Sequence, residues 1–173
     1  MGEVGILEIG CLWTDEIGTA ALWHEFLNLG IPMAMSAGSD VMNNFYRTMA
    51  IGATRVYVKT EGPLTEQSFL KGLKTGKSFV SNGPQLLFTV DEKEPGDIIS
   101  NQKKKVSWTL TTYSPVAFEK VEIFVNGEVV WSGKSKGSTS ETFKGSIQVP
   151  EGGWVTTRIT GESSDWPMMD SYV

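Results

Sequence analysis

GIPMAMSAGSDVMNN, Gly30 to Asn44, sets a short apolar run directly before a polar, conformationally tight loop. Ile31, Met33, Ala34 and Met35 are bounded by Gly30 on one side and by Ser36, Gly38, Ser39 and Asp40 on the other, the pattern of a strand covered on both faces. Loops at the carboxyl ends of such strands carry ligands and catalysis in α/β proteins. Asp40 is therefore the first candidate to reach a metal or a substrate. The competing assignment is local, because Asp is also favoured where a turn or helix begins and its carboxylate can bind nearby backbone amides.

Upstream of this stretch the sequence predicts a strand at Val4 to Ile9, a break at Gly10 and then a helix. Thr14 is placed as its N-cap, with Asp15 and Glu16 in the first turn, where acids complement the helix dipole. Ile17, Ala20, Ala21, Trp23, Phe26, Leu27 and Leu29 form a wide apolar surface, and Gly30 supplies the permissive C-terminal residue. Strand, helix and strand imply a parallel pair with a right-handed crossover. One such unit leaves a sheet face and both edges bare, so the first fifty residues read as part of something larger, with self-association expected through that half.

Downstream, ATRVYVK around Tyr57 reads as a strand and Gly62-Pro63 as a turn. A short helix follows, with Thr65 as N-cap, Leu64 placed to staple against Phe69, Lys71 and Lys74 near its end, and Gly76 closing it. In KSFVSNGPQLLFTVD two strand-like runs are separated by Asn82-Gly83-Pro84, since Pro84 forbids one continuous central strand. A turn explains Asn82 more simply than a binding role does. From Lys103 onward the pattern is antiparallel β. Val106, Trp108 and Leu110 alternate with polar residues, and Asn126-Gly127 between Val121–Val125 and Glu128–Trp131 signals a hairpin, because both turn residues must adopt positive φ. Thr142 to Val149 and Trp154 to Thr160 add strands, and with those around Val80 and Leu87 the count reaches about seven, as in an immunoglobulin-like sandwich.

Composition sets bounds on function. Six Trp and eight Phe at 40% hydrophobic content argue for a packed core, and a net charge of −5 argues against a nucleic-acid partner. The compact basic run Lys103-Lys104-Lys105 reads as a solvated flank of a strand. No apolar run is long enough to span a membrane, so no membrane partner is expected. Cys11 is the only cysteine, which excludes an internal disulfide and a cysteine-based zinc cluster and leaves the compartment open. Met1 and Gly2 lead straight into Glu3–Ile9 without the features of a targeting peptide.

LNLGIPMAMSAGSDVMNN, TRVYVKTEGPLTEQSFLKGLKTGKSFVSNGPQLLFTVDEKEPGD and VEIFVNGEVV together resemble the C-terminal part of the CehA/McbA-type metallohydrolases, a branch of the PHP superfamily. GLKTGKSFVSNGP followed by FTVDEKEPGD is the most specific portion. The resemblance implies a distorted β/α barrel with a divalent-metal cluster (zinc, manganese or iron) followed by a small β domain, and hydrolysis of phosphoester, carbamate or amide bonds. It further implies that Asp40 matches the late metal-binding Asp, that Asn43, Asn44 or Arg55 orient substrate, and that the missing N-terminal part of the parent barrel is a partner. The expected fold class is thus α+β, a partial β/α-barrel segment (β-α-β) followed by an immunoglobulin-like antiparallel β-sandwich. Residues 1–60 would be the barrel remnant, 61–101 a connecting helix and first strands, and 102–173 the sandwich with strands from 78–91.

The departures from that family define the activity expected. PHP proteins carry an early His-x-His pair and further ligands, whereas this chain has one histidine, His24, within the first helix and explained there by packing beside Trp23 and Phe26. Val41-Met42 also supplies no histidine after Asp40. One aspartate cannot assemble a hydrolytic metal site, so the chain is expected to bind metal weakly and to be inactive alone, with His-x-His and further ligands expected upstream of Glu3 in the parent. No Gly-x-Ser-x-Gly elbow offers a serine nucleophile instead. The alternatives are a carbohydrate- or protein-binding module using Trp131, Trp154 or Trp166, and a purely structural interaction domain.

Overall fold

A computed structural model describes residues 5–11, 14–42, 50–99 and 105–161. The chain opens with β1 (Ile6–Gly10), α1 (Glu16–Asn28) and β2 (Ala34–Ala37). β1 and β2 pair in parallel, from Ile6 opposite Ala34 to Gly10 opposite Ala37. Asp15, not Thr14, caps α1: its carboxylate accepts from the Gly18 N–H at 3.0 Å. A carboxylate there satisfies an orphan amide and faces the positive end of the helix dipole. The Thr14 hydroxyl turns back to Cys11, accepting from its N–H at 2.7 Å and donating to its carbonyl at 3.1 Å. The helix ends as Gly30 predicts. With φ at 72°, Gly30 lets its own N–H reach the Leu27 carbonyl and the Ile31 N–H reach that of Phe26, the paired bonds of a Schellman motif.

β3 (Arg55–Val58), α2 (Glu66–Lys74) and β4 (Ser78–Ser81) follow, and β3 pairs antiparallel with β4. α2 begins at a reciprocal capping box. Thr65 accepts from the Ser68 N–H at 3.1 Å while the Ser68 hydroxyl accepts from the Thr65 N–H at 2.9 Å. Leu64 remains exposed, so the expected staple buries little. Ile9, Trp23, Met33 and Val80 form the small core of this half, and the Trp23 indole N–H is satisfied by the Met33 carbonyl at 2.7 Å.

Asn82-Gly83-Pro84 is the joint by which the chain leaves this half. The Ser81 hydroxyl accepts from the Gly83 N–H at 2.9 Å and donates to the Pro84 carbonyl. Next come β5 (Gln85–Val90), β6 (Lys105–Tyr113), β7 (Lys120–Val125), β8 (Glu128–Lys134), β9 (Ser140–Gln148) and β10 (Val155–Thr160). They form two antiparallel three-stranded sheets, ordered β5-β6-β9 and β10-β7-β8. Val106, Trp108 and Leu110 from one sheet meet Val121, Ile123 and Ile159 from the other in a single core, as period-2 alternation requires. Asn126 and Gly127 take φ values of 53° and 90°, so the two-residue hairpin forms as its sequence dictates.

The expected fold class is corrected by this architecture. Strand accounts for 43% against 15% for helix, with two three-stranded antiparallel sheets and only two helices among the described residues. A β/α-barrel segment needs parallel strands and covering helices in regular alternation, but after β2 the next strand, β3, turns to an antiparallel partner. The sandwich that follows contains six strands among the described residues, not the seven of the immunoglobulin pattern. Among the described residues parallel pairing is confined to β1 and β2. The apolar run in Gly30–Asn44 signals a strand, which forms at Ala34–Ala37 and is half-buried rather than covered on both faces, and one such strand does not determine what its later neighbours do.

Candidate functional site at the ends of the parallel strands

The carboxyl ends of β1 and β2 converge with the end of β4. Gly10, Glu16, Ala37, Thr54, Ser81 and Asn82 help to line a cavity of about 10 Å³ there, room for roughly one water. Gly10 is small for a reason: an added Cβ would lie 3.0 Å from the Thr54 methyl and 3.6 Å from the Glu16 side chain. Thr54, Ser81 and Asn82 are buried polar residues. The loop after β2 is tied down by Ser39, whose hydroxyl donates to the Thr54 carbonyl at 3.2 Å and accepts from the Gly52 N–H at 2.8 Å.

Asp40 follows Ser39, is exposed, and holds a left-handed backbone with φ at 49°. Asp and Asn tolerate that conformation better than other side chains, at some cost relative to glycine. Asn43 and Asn44 lie outside the described residues, as do Trp166 and the first two lysines of the basic run. Arg55 serves as a clasp. Its guanidinium donates to the carbonyls of Gly52 at 2.6 Å and Gly83 at 3.2 Å and to the Tyr57 hydroxyl at 2.8 Å. The clasp therefore joins the loop before β3 to the joint after β4. Burial alone would raise the Tyr57 phenol, but hydrogen bonds from Arg55 and Gln85, with the Arg55 charge, outweigh it and hold the phenol below its ordinary value.

A divalent hydrolytic metal needs several ligands aimed at one point with a position left for water. Among the described residues no three His, Cys, Asp or Glu side chains come together in that way. Asp40 alone does not fit such an ion. The sequence reading passes over Glu16 and Thr54 as cavity-lining residues and assigns Asn82 to a turn. For Glu16 the signal was available, since it begins the helix that follows β1 and so belongs to the same strand end.

Of the tryptophans proposed as a binding platform, Trp131 and Trp154 are half-buried against neighbouring rings. Trp131 meets Trp108 at 4.6 Å and Phe143 at 5.4 Å between ring centroids. Trp154 lies 4.8 Å from His24, and its indole N–H donates to the Asn28 side-chain carbonyl at 2.9 Å. No protein-family model, curated protein or solved structure matches the chain.

Proposed function

We propose that this chain is the C-terminal part of a metal-dependent hydrolase of the CehA/McbA type, acting on phosphoester, carbamate or amide bonds, and that it is inactive alone. The observation that carries this reading is Asp40, a non-glycine residue in left-handed backbone, exposed in a tethered loop at the carboxyl end of a parallel strand pair. Backbone strain of that kind collects at functional sites. In this reading Asp40 supplies one metal ligand and the remaining ligands come from other residues of the parent enzyme. The packed faces of Trp131 and Trp154 lend no support to a sugar- or peptide-binding module.

The same reading accounts for the outer side of α1 and the turn that ends it, where Ile17 is 54% and Leu29 72% exposed and Leu22 and Ile31 are also open to solvent. A helix apolar on more than one face is normally covered, here by the rest of the enzyme or by a second copy.

Titration calorimetry with zinc and manganese, beside a model-ester assay, tests the proposal. Weak binding, unchanged by Asp40→Ala, and no turnover are expected of the chain alone. In the parent enzyme the same substitution should abolish metal-dependent turnover. Tight stoichiometric binding by the isolated chain that Asp40→Ala removes, or metal-dependent turnover by it, would overturn the reading.

A further inference from the structure

His24 lies where α1 meets the sandwich. One turn of helix separates it from Asn28, so the two share a face, and that face rests on the β7–β8 turn and on the segment entering β10. The imidazole touches Trp154 at 4.8 Å, Phe124 at 5.3 Å and Trp23 at 5.6 Å between ring centroids. Its Nε2 lies 3.4 Å from the Thr156 hydroxyl. Asn28 completes the contact through Trp154, and a side chain on Gly127 would come within 3.9 Å of the His24 Cβ.

The charges around this contact favour a neutral ring. Arg158 on β10 stands over the Phe124 ring at 4.8 Å and is bound by Glu122 on β7 at 2.9 Å. Glu122 also holds Lys120 at 3.0 Å, so the buried carboxylate is already shared between two cations. Of the other acids on these elements, Glu25 on α1 and Glu128 at the start of β8 are exposed, and Glu16 stands about two turns away at the start of α1, beside the Gly10 cavity. A proton on His24 would thus add a cation beside Arg158 where the nearest buried acid is committed elsewhere. Cation–π attraction to the aromatic rings would return part of that cost, but the Phe124 ring already carries Arg158.

We propose that His24 is a proton-operated latch between α1 and the sandwich: neutral, it seats the helix, and protonated, it releases it. This does not rest on the hydrolase reading, because it involves neither Asp40 nor a metal. Burial first, and then the Arg158 charge, hold the imidazole below its ordinary value of 6.5. The sign follows. Above 6.5 the seated and released forms are both neutral and seating is strongest. As pH falls below 6.5 the released form binds protons more readily, and the advantage of the seated form is lost down to the lowered value.

Because the chain has one histidine, its ring resonance can be titrated without ambiguity while amide hydrogen exchange is followed. The expected midpoint lies below 6.5. Across that titration, protection of the α1 amides, corrected for intrinsic exchange, should fall about tenfold for each pH unit by which His24 is lowered, while β6 and β9 stay protected. His24→Phe should keep α1 seated and remove the pH dependence, and Arg158→Gln should raise the midpoint. If His24→Phe does not fold, His24→Gln provides the same comparison. An unshifted midpoint, α1 protection indifferent to the titration, or a pH response that survives loss of the imidazole would each overturn the latch.

Discussion

The two halves of the chain solve the same problem with different resources. In the sandwich, Leu110, Val121, Ile123 and Ile159 are 0% exposed and lie within one core fed by two sheets. Among the described residues of the N-terminal half the core cluster has four buried members, and the apolar outer side of α1 remains in solvent. Hydrophobic stabilisation scales with the area removed from water, so the first region can stand by itself whereas the second leans on its neighbours. The difference teaches that a chain can be well specified residue by residue and still be only partly self-sufficient.

The most severe way to break this comparison is to hollow out the sandwich. Ile123→Ala should cost about 3 kcal/mol, the usual range for a large-to-small change in a packed core, and lower the urea midpoint of the whole chain. Met33→Ala, in the smaller core, should cost about 2 kcal/mol and leave the sandwich transition in place. Equal losses with a single shared transition would mean that the halves are one cooperative unit. Trp154→Ala sharpens the boundary. It removes the Asn28 hydrogen bond and the His24 contact, and about 2 kcal/mol of docking should go with them. Exchange protection should disappear from α1 first, and simultaneous loss from β6 would count against separate stabilities.

The smallest expected effect concerns surface charge. Hydrogen bonds from Lys77 and then Lys71 pull the exposed Glu61 carboxyl down to about 2. A lowered acid contributes its stabilisation above its ordinary value of 4.5 and loses it as pH falls through about 2. An NMR titration should find Glu61 still ionised at pH 3, and Lys77→Met should move its midpoint back toward 4.5. Solvent screening keeps the accompanying stability change slight. A loss of fold tracking that one titration would show that the pair does more than its exposure suggests.

The sandwich was largely legible in the sequence because its signals are local. Val106, Trp108 and Leu110 alternate with polar neighbours, and Asn126-Gly127 leaves the chain little choice of turn. Gly30 and Thr65 likewise announced the end of one helix and the start of another. Thr14 was misjudged as a cap because the adjacent Asp15 can start the helix one residue later, with Gly18 as its amide partner, and only geometry decides between them. The barrel assignment failed for a deeper reason. Whether β3 continues a parallel pair or turns to β4 depends on contacts distant in sequence, and no pattern within ATRVYVK encodes them. At the candidate site, Asp40 was visible from its place after an apolar run, whereas the cavity beside Glu16, Thr54 and Asn82 exists only once three strand ends converge.

The nesting of strands also sets an order in time. β7 and β8 close through a two-residue turn, whereas β6 must wait for β9, with Lys105 opposite Gln148 and Tyr113 opposite Ser140. Loop closure at that separation is slower than hairpin formation, so the hairpin can serve as an early nucleus and the β6–β9 seam as a late event. On a ribosome, β6 emerges first and keeps an unpaired edge until residues 140–148 have followed it out. Throughout that interval Val106, Trp108 and Leu110 present an apolar face to whatever is nearby, which makes the newborn chain prone to aggregation until the β6–β9 seam closes.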